Sequence, residues 1–117
     1  IRVALCNIRF LKPLDEELLH EICKKYKHLI TVENGSIIGG LGSAVSEFIV
    51  RNNYPSTLKI MGVPDTFIQQ GNMDELHKEC HIDTNSIVNV IVEYLTKSGF
   101  LPSTLISSNS WSWLILK

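Results

Sequence analysis

The stretch HLITVENGSIIGGLGSAVSEFIV, residues 28–50, decides the fold. Its first six residues are short, apolar and rich in β-branched side chains, the composition of a strand. A glycine-rich connection follows, Asn34-Gly35-Ser36-Ile37-Ile38-Gly39-Gly40-Leu41-Gly42. Ser43 then stands where an N-cap belongs, ahead of Ala44, Val45, Phe48 and Ile49 at helical spacing. Strand, glycine turn and helix in that order predict one arm of a sheet covered by helices.

The same alternation runs outward on both sides. Residues 2–10 form a short apolar run bounded by Lys12-Pro13 and predict a buried strand. Leu14, Leu18, Leu19, Ile22, Cys23 and Tyr26 then share one helical face. Asp15, Glu16 and Glu17 fall at its start and Lys24, Lys25, Lys27 and His28 at its end, matching the helix dipole. Downstream, Asn52-Asn53-Tyr54-Pro55 ends the second helix, and residues 57–63 predict a third strand stopped by Pro64-Asp65. Asn72 with Glu75 marks a short helix from Met73 to about Cys80. Another helix is expected from near Asp83, with Ile87, Val88, Ile91, Val92 and Leu95 on one face and Gly99 closing it.

These elements predict an α/β fold of three layers, a mostly parallel sheet flanked by helices. The loops at 9–13, 33–42 and 62–71 then gather at one sheet edge, where ligands and partners of open α/β sheets sit. Three strands make a thin sheet, so a first strand and helix are expected ahead of Ile1, which reads as a cut end. Residues 1–98 are expected to form this partial domain and 99–117 a tail of unassigned structure. The tail carries five serines and the apolar run Trp111-Ser112-Trp113-Leu114-Ile115-Leu116, which could add an edge strand or stay loose.

Composition narrows the function. The chain has 117 residues, 44% hydrophobic and 20% charged, enough for one core. Its net charge of −1 argues against nucleic acid as a partner, since a basic excess supplies most such affinity. No apolar run reaches the roughly 18 residues of a membrane span, so no membrane is expected either. Three widely spaced cysteines, Cys6, Cys23 and Cys80, fit a reducing compartment, and the expected location is cytoplasmic.

Three constellations could carry chemistry. Gly39, Gly40 and Gly42 before a capped helix could cradle an anion on backbone N–H groups, but the spacing matches neither dinucleotide nor P-loop motifs. Tight turning and packing explain the glycines better. His77, Cys80 and His81 could offer metal ligands, yet no second pair exists at matching spacing, so surface histidines and a core cysteine are expected. In the third, Pro64 ends a strand, Asp65 can cap the next turn, and Phe67 and Ile68 are expected to tuck onto the core before Gly71. Glu33, at its strand end, is the one carboxylate placed like a catalytic residue, with a capping role equally open.

Taken in order, Arg9-Phe10-Leu11-Lys12-Pro13-Leu14-Asp15, Thr31-Val32-Glu33-Asn34-Gly35 with Gly39-Gly40-Leu41-Gly42-Ser43, and Pro64-Asp65-Thr66-Phe67-Ile68 with Gly71 resemble the C-terminal domain of the 1-deoxy-D-xylulose-5-phosphate synthase family, within the wider transketolase C-terminal family. The resemblance runs from about Ile1 to Leu95. It implies a structural and interface domain of a dimeric enzyme that condenses pyruvate and glyceraldehyde 3-phosphate with loss of carbon dioxide, using thiamine diphosphate and Mg²⁺. It also implies that this chain binds neither group, because Gly-Asp-Gly is absent and the activating glutamate belongs to another domain. The expected partners are the parent's other domains and a second subunit. The family-motif and interface candidates are Arg9, Lys12, Pro13, Asp15, Glu33, Gly35, Gly39, Gly40, Gly42, Ser43, Pro64, Asp65, Phe67 and Gly71. Another thiamine-diphosphate enzyme, a transketolase or a 2-oxoacid dehydrogenase beta subunit, or a free-standing anion-binding module, are the alternatives.

Overall fold

A computed structural model of the chain describes residues 3–65, 71–97 and 113–116. The elements are β1 (Val3–Cys6), α1 (Glu16–Lys25), β2 (His28–Ser36), α2 (Leu41–Arg51), β3 (Thr57–Val63), α3 (Met73–Glu79), α4 (Thr84–Lys97) and β4 (Trp113–Leu116). All pairings are parallel, in the order β1-β4-β2-β3.

Helices α1 and α3 begin where local chemistry dictates. Asp15 caps α1 by accepting the Leu18 N–H at 3.0 Å, and Asn72 caps α3 by accepting that of Glu75 at 2.9 Å. Helix α1 closes at Lys25, earlier than its basic run suggested: Tyr26 turns to extended backbone, and His28 opens β2.

The sheet separates two apolar layers. On one face α1 and α2 bring Leu19, Ile22, Cys23, Val45, Phe48 and Ile49 onto Leu29 and Leu116. On the other, Ile30, Val32 and Met61 meet Cys80 and Ile82, with Ile87, Val90, Ile91 and Tyr94 of α4 against them. The apolar face read for α4 is the buried one only in part. Ile87 and Ile91 pack inward, but Val88 and Val92 are half exposed and Val90 and Tyr94 take their places. Apolar residues at 87, 88, 90, 91 and 92 leave the stripe direction undetermined until the helix meets the sheet. The expected Gly99 terminus lies outside the described residues.

The fourth strand comes from the far end, where residues 113–116 lie between β1 and β2 and not at an edge. Backbone register pairs Leu5 with Ile115 on one side and Ile30 with Ile115 on the other. A strand between two others satisfies its backbone on both sides, which an apolar, uncharged segment requires. Leu116 is fully buried there, while Leu5 on the outer strand is 70% exposed.

Leu116→Ala is expected to destabilise the chain by about 2–5 kcal/mol, the usual cost of emptying a buried leucine site, seen as a lower urea midpoint. A second expectation concerns His28, whose Nδ1 lies 2.9 Å from Thr57 Oγ1 beside the Tyr94 ring. Burial, and secondarily the Lys27 charge, push its pKa below the usual imidazole value. The unfolded chain therefore binds the proton more readily. His28's contribution is full above the ordinary value of about 6.5 and is lost as pH falls from there towards the lowered folded value. Urea midpoints of wild type should fall more steeply than those of His28→Gln between about pH 7 and 5.

Candidate functional site

Side chains alternate along β2, so Leu29, Thr31 and Glu33 point to the α2 side while Ile30 and Val32 point away. Leu29 meets the core and Thr31 Oγ1 faces the α-carbon of Gly42. Glu33, last in that row, lies under the start of α2. Its Oε2 accepts the Leu41 N–H at 2.8 Å and its Oε1 accepts the Gly42 N–H at 3.1 Å. One carboxylate thus satisfies two orphan donors at the positive end of the helix dipole.

The glycines make the approach possible. A Cβ on Gly40 would collide with Glu33 Oε2 and the Ser36 carbonyl, and one on Gly42 with Ile60 and Thr31 Oγ1. From β3, a Cβ on Gly62 would sit 2.9 Å from Glu33 Cγ. Gly39 has φ +74°, a left-handed conformation that side chains resist. Gly35 lies beside the same carboxylate, where a Cβ would stand 3.6 Å from Oε2.

Ser43 is not the N-cap. Helix α2 starts at Leu41, with Gly40 at the cap position and no side-chain bond of its own, because Glu33 supplies the acceptors from a distance. The Ser43 hydroxyl instead closes the loop, donating to the Ile37 carbonyl and accepting the Gly39 N–H, both at 3.0 Å. Its position before an apolar helical face is a local cap signal. The true cap is eight residues away in sequence and could be found only by pairing a strand-end glutamate with the glycines.

The remaining candidates are dispersed. Arg9, Lys12 and Pro13 are exposed in the loop after β1, and Asp15 caps α1. Arg9 nonetheless shares with Glu33 the lining of a cleft of about 320 Å³, together with Ile8, Leu11, Val32, Asn34 and Leu41. Pro64 is half-buried at the end of β3, and Asp65 and Gly71 are exposed. Phe67 lies outside the described residues, as does Ile68. Cys80 is buried in the core and His81 is exposed, whereas His77 is half-buried. Among the described residues no three His, Cys, Asp or Glu side chains converge as metal ligands, and no helix is long and apolar enough to cross a membrane.

This strand-glutamate-glycine-helix unit inside a parallel α/β sheet defines a known class of domain. The family profile described as transketolase, C-terminal domain, matches residues 1–87, and the chain belongs to that family. Among individual proteins, it is 45% identical over 100 residues to a 1-deoxy-D-xylulose-5-phosphate synthase of Bacteroides thetaiotaomicron, covering 86% of this chain and 15% of that protein. It is 53% identical over 87 residues to the synthase of Parabacteroides distasonis, covering 74% of this chain and 14% of the relative. For the Vibrio parahaemolyticus synthase the figures are 37% over 97 residues, 83% and 16%. The chain therefore spans about 15% of the length of the curated relatives it matches.

Glu33→Ala is expected to destabilise the chain by about 2–3 kcal/mol through loss of a charged cap with two bonds. Glu33→Gln should cost roughly half as much, because the amide keeps one carbonyl acceptor. Urea unfolding of the two variants against wild type checks both size and order.

Proposed function

We propose that this chain is the C-terminal domain of a 1-deoxy-D-xylulose-5-phosphate synthase, serving as a packing and interface unit and not as the reaction centre. The parent enzyme, by this reading, joins pyruvate and glyceraldehyde 3-phosphate with loss of carbon dioxide, supplying isoprenoid and thiamine precursors. It acts as a cytoplasmic homodimer. Three unpaired cysteines suit a reducing location. Residues 1–98 make the family domain, with 113–116 added to its sheet.

The observation that carries the structural role is the state of Glu33. A general acid or base must present an oxygen to substrate. Both oxygens of Glu33 already accept backbone N–H bonds from α2. The same arrangement weakens the anion-binding alternative, since an incoming phosphate would have to displace that carboxylate.

Thiamine diphosphate and Mg²⁺ do not fit the donors present. The sequence has no Gly-Asp-Gly, the described residues gather no trio of metal-capable side chains, and the glycine loop before α2 is turned onto Glu33. We assign both groups to the other domains of the parent.

The relatives' names favour the synthase over a transketolase or a 2-oxoacid dehydrogenase beta subunit. Full-length protein is expected to convert pyruvate and glyceraldehyde 3-phosphate in the presence of thiamine diphosphate and Mg²⁺, while the 117-residue chain gives no turnover. Transfer to a lipoyl acceptor without use of glyceraldehyde 3-phosphate would exclude the reading. So would turnover by the short chain alone.

A further inference from the structure

In a parallel sheet every strand delivers its following loop to the same edge. The loops after β1 and β2 therefore share one rim, and that rim is apolar where solvent-facing loops are normally polar. Phe10 is 70% exposed, Ile38 65% and Leu11 36%. Phe10 and Leu11 follow Arg9 in the loop after β1, and Ile38 stands in the loop after β2 at the same end of the sheet, so large apolar side chains recur along this rim. Between the two loops lies the cleft of about 320 Å³ lined by Arg9, Leu11, Glu33 and Leu41. A second recess of about 240 Å³, on the other side of Arg9, is lined by Phe10, Pro13 and Asp15.

Charge at this rim is unbalanced in a specific way. Two carboxylates line the recesses beside Arg9, and both are directed at helix starts. Glu33 accepts from Leu41 and Gly42, and Asp15 accepts from Leu18. The ion pair formed among the described residues is Arg51 with Glu16, elsewhere on the surface. Arg9 thus stands among exposed apolar side chains without a carboxylate partner among the described residues. A guanidinium in such a setting suits an apolar surface that brings its own carboxylate.

We propose that the rim carrying Arg9, Phe10, Leu11 and Ile38 is the face on which this domain docks against the rest of its own polypeptide, and that the surface it meets is apolar with an exposed carboxylate for Arg9. The occupant follows from length, because about 85% of each matched synthase lies outside the segment aligned here. This rests on the reading of the chain as one domain of a longer synthase.

Hydroxyl-radical footprinting of the 117-residue chain and of the full-length protein tests it. Phe10 and Ile38 are expected to be labelled several-fold less in the full-length protein. Val50, 72% exposed on α2, serves as the reference side chain within each sample. In the full-length protein, Arg9→Glu should raise Phe10 labelling towards that of the short chain, and Arg9→Lys should not. Equal labelling of Phe10 and Ile38 in both proteins overturns the proposal. Protection that appears in the short chain as its concentration rises assigns the rim to a second copy and overturns it too. Activity separates the two levels of argument. A full-length protein that condenses pyruvate with glyceraldehyde 3-phosphate while Phe10 stays open removes the docking face and keeps the synthase reading. A full-length protein without that activity removes the synthase reading whatever the footprint shows.

Discussion

The contact between Glu33 and the start of α2 holds the centre of this domain together. A helix start carries unsatisfied N–H groups and partial positive charge, and leaving them bare beside a buried strand is costly. Here a carboxylate from the neighbouring strand meets two of them at 2.8 and 3.1 Å. The helix is thereby fixed in height and direction over the sheet. The apolar contacts of Val45, Phe48 and Ile49 follow from that placement. Gly40, Gly42 and Gly62 are the reciprocal requirement, since any Cβ at these positions would enter the space the carboxylate, Thr31 or Ile60 needs.

Sheet order sets the second constraint. Helices α1 and α2 cover one face and Cys80, Ile82 and α4 the other, so the chain crosses the sheet on one side going out and on the opposite side coming back. That return brings the last described residues between β1 and β2, where Leu116 completes the core under α1 and α2. Strand β1 joins the sheet through β4, and among the described residues no strand pairs with its outer edge; Leu5 on it is exposed. The same parallel arrangement collects the loops after β1 and β2 at one rim, where the exposed aromatic and aliphatic side chains lie.

The functional meaning of the domain lies in how its polar groups are used. A strand-end carboxylate next to a glycine loop is an arrangement that many α/β enzymes present to a ligand. In this family member the two are turned on each other. The carboxylate neutralises the helix start and the helix start saturates the carboxylate. What remains available for recognition is the rim outside that pair, a cationic side chain set among apolar ones. A domain built in this way offers the surface and rigidity that the role proposed for it in a longer synthase requires.

Much of the fold was legible in the sequence because its signals are local. The acidic and basic ends of α1, the Asn72 cap and the alternation of strands with helices depend on residues within a turn of one another. They determined the α/β class, the order of elements from β1 to α4 and the inward faces of α1 and α2. The glycine segment and the strand-end glutamate were legible as a pair of features, but not as a bond. Three things required the tertiary structure. The N-terminus of α2 belongs to Gly40 and not Ser43, because its acceptor comes from another element. Helix α4 turns Val90 and Tyr94 inward and leaves Val88 and Val92 half open, because the sheet chooses among competing apolar stripes. The apolar run at residues 113–116 lies in the interior of the sheet, because only there are both of its backbone edges paired. In each case the deciding energy comes from groups distant in the chain, whose meeting no local pattern encodes.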